Sequence, residues 1–434
     1  MAYDIMIIGA GPAGMSAAIR AGDAGLHVLL IEGANQIGKK ILVTGNGRCN
    51  LTNERQDLSF YRSEDPSRVE KILEQFDLQK TYHFFRHLGI MIRKKNGYVY
   101  PYNEQAAAVR EAFECKIRSY QNINIVIDCH VDQVKIKADG YELLTSKERY
   151  QGHSLIVSTG GYAGPKIGCD GSGYAFAKSF GHYVVKPLPA LTPLKSPAPF
   201  LKKISGVRNQ AMIHLLVNGE EFTKEEGELQ WTDYGISGVA IFQISRFAVL
   251  ALEEGKKVSL VLDFLPEVEK ERYFQYLCDF RKNGSFKNAN QLLAGILPAK
   301  LVPVVLREAR IEPSFLAGKL TDEMLLAIVD ACKNFLLHIN GYLGYEKAQV
   351  TRGGIRLKEL NSSLESIYHP GLFFAGEVID VDGTCGGYNL QWAFSSGNVA
   401  GMAACHYVEN RKKKEKISTN ARKRKKVSKK RKES

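Results

Sequence analysis

The sequence is short of the patterns that mark metal, disulfide and membrane proteins. Its eight cysteines form no CxxC pair and no Cys/His metal spacing, which argues against a zinc site, an iron–sulfur cluster or a dithiol redox centre. The longest apolar stretch, 235–252, is interrupted by Gln243 and Arg246, so it is typical of an amphipathic helix and falls short of a bilayer span. The N-terminus lacks the basic region and the cleavage site of a secretory signal. We therefore expect reduced thiols, no bound metal, no membrane contact and a cytoplasmic protein.

Positive charge is concentrated at one end of the chain. The net charge is +13, and residues 411–434 contribute fourteen Lys/Arg against Glu415 and Glu433, which leaves about +1 for everything before them. This segment has no aromatic and almost no apolar residue, so we predict a disordered basic tail at 409–434. A tail of this kind attracts phosphates without sequence preference, and RNA is its expected partner.

The N-terminus has the βαβ fingerprint of a dinucleotide-binding fold. YDIMII (3–8) is typical of a strand, a glycine motif and a small-residue helix follow it, and LHVLLIE (26–32) is a second strand that ends in an acid. The first glycine allows the tight turn, the second lets the pyrophosphate approach, and the third lets helix and strand pack closely. The acid is expected to accept hydrogen bonds from the adenosine ribose. Cofactor contacts are predicted at Gly9, Ala10, Gly11, Pro12, Ala13, Gly14 and Glu32.

The order of the later segments favours FAD over NAD. INIVI (123–127) is followed by two β runs and then by LIVSTGGYAG (155–164), whereas an NAD-binding chain would normally continue with further βαβ units. This order resembles the FAD domain of the glutathione-reductase superfamily. The resemblance implies that Val131 lies near the adenine and that a Thr-Gly-Gly turn passes close to the dinucleotide, at Thr159, Gly160 and Gly161.

Five blocks in order carry a closer family resemblance: GKKILVTGNGRCNLTN (38–53), GSGYAFAKSFGH (171–182), PALTPL (189–194), AQVTRGGI (348–355) and GLFFAGEVIDVDGTCGGYNLQWAFSSGNVAG (371–401). Over about residues 1 to 408 the chain closely resembles the BaiN/RdsA family of FAD-dependent oxidoreductases, also labelled aminoacetone oxidase or YhiN-like. The resemblance implies reduction of a conjugated C=C bond, in steroid-like substrates or in uridine of ribosomal RNA. It places the GNGRCN loop at the flavin, with contacts at Lys40, Thr44, Gly45, Gly47, Arg48, Cys49 and Asn50.

One block departs from this family. Many relatives have Phe-Thr-His where this chain has Trp231-Thr232-Asp233, so no catalytic role is carried over to Asp233.

The stretch DVDGTCGGYNLQWAF (380–394) is expected to hold the far half of the cofactor. It precedes a helix whose small or apolar residues recur on one face, so the start of this helix can point closely at the flavin ring. One carboxylate, Glu377 or Asp380, should bond the ribityl hydroxyls, and two amides, Asn389 and Gln391, bond the cofactor or fix the loop. The predicted contacts are Gly376, Glu377, Asp380, Gly386, Gly387, Tyr388, Asn389 and Gln391.

Two cysteines sit inside these glycine-rich motifs and are candidate proton donors. A polarised C=C bond needs a proton on the carbon next to the one that receives hydride, and a thiol beside the flavin can supply it. Cys385 is one candidate, and Cys49, whose thiol pKa Arg48 should lower, is the other. Either cysteine is alternatively just a small residue in a tight loop.

The fold expected is an α/β protein with a glutathione-reductase-like Rossmann domain for FAD and an insertion. The predicted domains are a discontinuous FAD domain at 1–190 and 348–408, a β-rich insertion at 191–265 and a helical cap at 266–347. Helical spacing is seen in EVEKERYFQYLCDFRKN and in DEMLLAIVDACKNFLLHI. A basic hairpin is predicted at 89–101, turning at Asn96-Gly97, and it is either a solvated face or an edge that faces the substrate.

Three functions are compatible with these residues. The first is reduction of uridine to dihydrouridine in ribosomal RNA, which the basic tail favours. The second is a small-molecule enone reductase or amine oxidase with an unrelated tail, and the third is an RNA chaperone with a structural flavin. No second GxGxxG unit is present, so NAD(P)H is expected as a transient reductant, unless a partner reductase supplies the electrons.

Overall fold

A sheet of mainly parallel strands organises the two ends of the chain. Tyr3–Ile8 and Val28–Ile31 lie side by side, and their apolar side chains are largely buried because helices or loops cover both faces. Ile123–Val126 extends the sheet on one side and Arg149–Val157 extends it on the other, all in parallel. Leu372–Phe374, from far along the chain, pairs in parallel with the end of Arg149–Val157.

The strand Arg149–Val157 joins this parallel sheet to a β-meander. Its first half pairs antiparallel with Gly140–Thr145, which pairs antiparallel with Val131–Lys137. Its second half lies against Leu372–Phe374. A parallel sheet that carries a meander on one of its strands is the arrangement predicted for a glutathione-reductase-like FAD domain, and the predicted fold class is confirmed.

The last helix, Tyr388–Lys430, packs closely against the helix of the first glycine motif, Pro12–Asp23. Its residues 391–400 are all buried, so the single apolar face predicted from the sequence understates its burial. Glycines make the approach possible, because a Cβ on Gly397 would lie 2.2 Å from the carbonyl oxygen of Ala13. The two chain ends are therefore held together by helix backbones in direct contact.

The segment predicted as a disordered tail begins as a continuation of the last helix, and its residues 431–434 lie outside the described residues. The last helix continues through 409–430, and its basic residues begin by pairing with the body of the protein. Arg411 lies 3.1 Å from Asp139, and Lys412 Nζ lies 2.7 Å from a carboxylate oxygen of Asp4. Lys and Arg favour helix, and a helix already nucleated by buried residues extends without a second nucleation cost.

The inserted segment has one hydrophobic core, so it does not divide at 265/266 as predicted. Phe335–Ile339, expected to be helical, is a strand that pairs antiparallel with Val258–Asp263. Phe335, Leu337 and Ile339 are buried while the residues between them are exposed, and this alternation favours a strand. The helices of 266–347 consequently share a core with the strands before them.

The chain divides into two units, Met1–Pro187 with Val350–Ser434, and Leu188–Gln349. The computed structural model describes the backbone of residues 2–430 and the side chains of residues 2–416. Within that described range, no helix is long and apolar enough to cross a membrane.

The α-helices of the first unit are Pro12–Asp23, Lys39–Val43, Pro66–Gln75, Leu78–His87, Ala106–Arg118, Ser172–Ser179 and Tyr388–Lys430. Besides the strands named above, it contains Thr52–Asn53, Tyr61–Arg62, Ile92–Lys95, Tyr98–Pro101 and Asp382–Gly383. Val184–Ala190 and Val350–Ile355 stand where the chain leaves and re-enters this unit.

The second unit has the α-helices Leu201–Ile204, Val239–Glu253, Lys270–Asn283, Ala289–Leu293, Val302–Glu308 and Asp322–Lys333. Its strands are Leu194–Lys195, Arg208–Val217, Glu220–Trp231, Gly235–Ser237, Val258–Asp263, Phe335–Ile339 and Gly341–Tyr342.

Candidate active site

The first glycine loop is crowded at two positions and open at the third. A Cβ on Gly9, whose φ is +94°, would lie 2.6 Å from the carbonyl oxygen of Ser158. A Cβ on Gly14 would lie 1.9 Å from the oxygen of Gly9. A Cβ on Gly11, in contrast, would meet no heavy atom within 4 Å. The open position lies at the N-terminus of a helix, where free N–H groups and the helix dipole favour a phosphate.

The Glu32 carboxylate, at the end of the second strand, is hydrogen-bonded to the backbone of the first glycine loop. It accepts hydrogen bonds from the backbone N–H groups of Ala10 and Ala34, both at 2.8 Å. Burial raises the pKa of Glu32, although these two donors act in the opposite direction. Each carboxylate oxygen keeps a lone pair, so the group can still accept a ribose hydroxyl. Val131 is buried at the start of its strand, beside His130, which lies 3.7 Å from Asp170.

The second glycine loop meets the first loop directly. A Cβ on Gly376, whose φ is +79°, would lie 2.9 Å from the Cβ of Ala13. The last helix holds this glycine at both ends: Trp392 Nε1 donates to its carbonyl oxygen at 3.1 Å, and its N–H donates to Ser396 Oγ at 2.9 Å. The structure therefore brings together the two motifs that lie at opposite ends of the sequence.

Lys40 and Glu377 form an ion pair across 337 positions of sequence. The two side chains are 20% and 18% exposed. Burial disfavours the charged form of Lys40, but the adjacent carboxylate outweighs it and raises the lysine pKa. Glu377 also accepts the backbone N–H of Thr351 at 3.0 Å, and Thr351 Oγ1 accepts the N–H groups of Tyr162 and Ala163. This network fixes the segment that follows the predicted Thr-Gly-Gly turn.

The strand Thr52–Asn53, which follows the GNGRCN loop, packs against the loop that contains Cys385. A Cβ on Gly387 would lie 2.6 Å from the carbonyl oxygen of Thr52, so only glycine allows this approach. Asn53 Nδ2 donates to the carbonyl oxygen of Gly386 at 3.0 Å. Cys385 itself is partly exposed in the turn between these contacts. The backbone that follows Cys385 is thus held against Thr52 and Asn53.

Two side-chain amides that were predicted near the cofactor form hydrogen bonds within the protein. Asn389 accepts the N–H of Gly383 and donates to its carbonyl oxygen, each at 2.8 Å, so it fixes the loop, one of the two roles expected. Gln391 is buried and donates to Thr81 Oγ1 at 2.9 Å and to Ser395 Oγ at 2.9 Å. Its Nε2 therefore fixes the packing between helices, whereas its Oε1 has no hydrogen-bond partner among the described residues, and its contact with the cofactor stays a prediction.

Cys49 and Arg48 depart from the prediction. Cys49 is fully buried with φ +58°, and burial raises its thiol pKa to about 12, so Arg48 does not activate it. The Arg48 guanidinium lies over the ring of Tyr100, 5.7 Å from its centroid, and 3.9 Å from Glu104. The arginine faces the 92–101 hairpin, and Cys49 is a tightly packed residue of the loop.

Several buried polar atoms beside these loops have no hydrogen-bond partner among the described residues: Asn50 Oδ1, Thr159 Oγ1 and Thr384 Oγ1. Buried hydroxyl and amide groups are almost always paired, and such groups mark a place where a polar ligand completes the hydrogen bonding. Together with the open position at Gly11 and the carboxylate of Glu32, they fit a dinucleotide cofactor.

Thr351 and Thr384 were missed by sequence reasoning. Thr351 lies in the block AQVTRGGI (348–355), and Thr384 lies in the block 371–401, just before Cys385. The only signal in the sequence was a threonine close to glycines. The other predicted contacts lie in the same unit, on the glycine loops, the 44–50 loop and the start of the last helix: Ala10, Pro12, Thr44, Gly45, Gly47, Gly160, Gly161, Asp380 and Tyr388.

Comparison with known proteins adds a family and three relatives of nearly full length. Residues 3–403 match the model of the HI0933-like protein Rossmann domain. A 3-dehydro-bile acid delta(4,6)-reductase of Clostridium scindens is 40% identical, covering 92% of this chain and 98% of the relative. A ribosomal RNA dihydrouridine synthase of Escherichia coli is 32% identical over 91% and 96%, and one of Haemophilus influenzae is 30% identical over 92% and 97%.

Proposed function

This chain belongs to the HI0933-like Rossmann-domain family of flavin-dependent oxidoreductases, and from that premise we propose that it reduces uridine to dihydrouridine in ribosomal RNA. The observation that carries the RNA assignment is charge. Residues 411–434 hold a net charge of +12 on a chain that is otherwise close to neutral, which suits a polyanionic substrate. Two relatives of about one-third identity are named for the same reaction.

FAD bound here and reduced by two electrons would supply a hydride to the electron-poor carbon of a polarised C=C bond. The glycine loop at 9–14 and Glu32 would hold the adenosine half, and Glu377 with the loop at 383–387 would hold the flavin half. In uracil the C5=C6 bond is conjugated to the C4 carbonyl, so C5 needs a proton when C6 receives hydride. We assign that proton to the thiol of Cys385, since Cys49 is fully buried. A reduced nicotinamide is the proposed source of electrons.

A second candidate is reduction of a small-molecule enone. It is favoured by the 40% identity to a reductase named for a bile acid with a 3-dehydro group. Both candidates use the same cofactor and the same proton donor, and they differ in what occupies the substrate side. The basic end of the chain has no role in the second candidate.

Mass spectrometry of ribosomal RNA nucleosides tests the proposal. Cells that lack the gene should lose one dihydrouridine from their ribosomal RNA, and a plasmid copy should restore it. The matched control is the same plasmid with Gly11→Glu, which we expect to restore nothing. Unchanged dihydrouridine in the deletion strain would remove the RNA assignment and leave the enone candidate.

Replacing Cys385 by alanine is expected to lower turnover about a hundredfold or more, because general acid catalysis typically contributes that much. Flavin content should stay unchanged, since the side chain is assigned to the substrate. Single-turnover oxidation of the reduced protein by substrate measures the effect. The control is Cys115→Ala, an exposed cysteine of helix Ala106–Arg118, which should react like the native protein. Rates within twofold for both variants would sink the assignment of Cys385.

Removal of residues 417–434 takes away nine Lys/Arg and one acid but spares Arg411 and Lys412, which pair with the body. We expect binding to ribosomal RNA to weaken and the slope of log affinity against log salt to fall by as much as about 6. A variant with all nine cations replaced by glutamine separates charge from length. Flavin content should not change, and dihydrouridine in cells should fall only if RNA is the substrate.

A further inference from the structure

A two-stranded hairpin next to the GNGRCN loop carries tyrosines and cations on one face. Ile92–Lys95 pairs antiparallel with Tyr98–Pro101, and the turn uses positive φ at Asn96 and Gly97, as predicted. Residues directly opposite in such a pair project to the same face. Arg93 is opposite Tyr100 and Lys95 is opposite Tyr98, so four side chains share one face.

This face is the solvent side of the hairpin. Val99 and Pro101, which alternate with the tyrosines, are buried, while Arg93 and Lys95 are exposed and the two tyrosines are half-buried. Tyr102 continues the row and is 52% exposed. Each of the three tyrosine rings thus keeps part of its surface accessible to solvent.

Cations cluster around these rings. Arg93 lies over the ring of Tyr102 at 5.0 Å, and Arg48 lies over Tyr100 at 5.7 Å. Residues 48–55 and 92–104 together hold five Lys/Arg against two Glu, a net +3, whereas the first 410 residues sum to about +1. Glu104 partly neutralises the cluster, at 3.4 Å from Arg93. The hairpin is therefore a local concentration of positive charge on a nearly neutral body.

The tyrosine face is continuous with the loop of Cys385. Asn53 pairs with Tyr98 in the small sheet, and its side chain donates to the carbonyl oxygen of Gly386. Arg48, from the GNGRCN loop, reaches the same face through Tyr100. A chain laid along the tyrosines would thus arrive next to the proposed proton donor.

We propose that this hairpin face binds single-stranded RNA, with Tyr98, Tyr100 and Tyr102 stacking on bases that flank the target uridine and with Arg93 and Lys95 contacting phosphates. The proposal rests on the proposed function and names the surface that presents the substrate. Aromatic rings interleaved with cations are the standard means of binding unpaired nucleotides, because every base has a face to stack and every nucleotide a charge. An uncharged steroid-like ligand would gain nothing from the cations.

Fluorescence anisotropy with a labelled single-stranded oligouridine tests this surface on the full-length, flavin-loaded protein. The double variant Arg93→Gln, Lys95→Gln should weaken binding about tenfold and reduce the salt slope by about 1.4, the value for two phosphate contacts on a single strand. Tyr100→Leu should weaken binding about tenfold without changing that slope, because it removes stacking only. The matched control, Lys135→Gln with Arg149→Gln, removes two exposed cations from the β-meander and should bind like the native protein.

Oligouridine affinity and salt slope equal to the native values in both hairpin variants would overturn the proposal, as would an equal loss in the control. The double variant tests it independently of folding, since both side chains are exposed. Its outcome is also separable from that of the proposed function. Lost RNA binding with unchanged dihydrouridine in the deletion strain would support the surface and remove the reaction, whereas lost dihydrouridine with normal oligouridine binding by the hairpin variants would do the reverse.

Discussion

Replacing Gly11 by glutamate is expected to give a folded protein that purifies without flavin. A side chain at this position meets no heavy atom within 4 Å, and the φ of −75° suits any residue. A carboxylate at the N-terminus of helix Pro12–Asp23 is itself favourable, so the fold should tolerate it. It would occupy the place where the pyrophosphate is expected, and like-charge repulsion of several kcal/mol should weaken FAD binding more than about a hundredfold.

The flavin-to-protein ratio measured by absorbance tests this expectation. Because loss of a bound cofactor lowers apparent stability, the unfolding of the variant should be compared with that of native protein stripped of FAD. Gly295→Glu is the matched control, since a Cβ there also meets nothing within 4 Å and the residue lies in the other unit. A Gly11→Glu protein that keeps a full complement of flavin would contradict the assignment of the phosphate loop.

Gly397→Val should lower the free energy of unfolding by about 3 kcal/mol, the upper range for overpacking a buried contact. The added Cβ would lie 2.2 Å from the oxygen of Ala13 and 2.8 Å from its Cα, so backbone has to move. Ala13 also contacts Gly376, which links this packing to both glycine loops. We therefore expect the variant to lose flavin as well as stability, as seen in urea denaturation and absorbance.

Met402→Val on the same helix is the control for this second variant. Its side chain is 42% exposed, and valine brings the same β-branched propensity without a clash. The free energy of unfolding should then change by about 0.5 kcal/mol or less. If Gly397→Val unfolded at the same denaturant concentration as this control, the close approach of the two helices would be refuted.

The glycine motifs could be predicted from the sequence because their constraints are local. Gly9 and Gly14 leave no room for a side chain within a few residues of chain, and the strand, turn and helix around them follow from short patterns. The hairpin at Asn96-Gly97 is confirmed for the same reason, since its turn demands positive φ at two successive residues.

The features that could not be predicted from the sequence depend on contacts between residues far apart in the chain. The sequence around Lys40 does not predict its contact with Glu377, and the sequence around Gln391 does not predict its contact with Thr81. The two residues of each pair are more than 300 positions apart. The burial of Cys49 likewise depends on strands that lie later in the chain, as Leu51 N–H donates to Val99. Phe335–Ile339 comes directly after the helix Asp322–Lys333. Its alternation of buried and exposed residues was therefore hidden by the helical pattern of the residues before it.

We propose that one flavin, held by two loops from opposite ends of the chain, reduces uridine in RNA. Anaerobic titration of the chemically reduced protein with ribosomal RNA isolated from the deletion strain puts this reaction to the test. We predict that the absorbance of oxidised flavin returns and that one dihydrouridine forms for each flavin oxidised. Flavin that stays reduced in the presence of this RNA, yet is oxidised at once by a steroid enone, would contradict the claim.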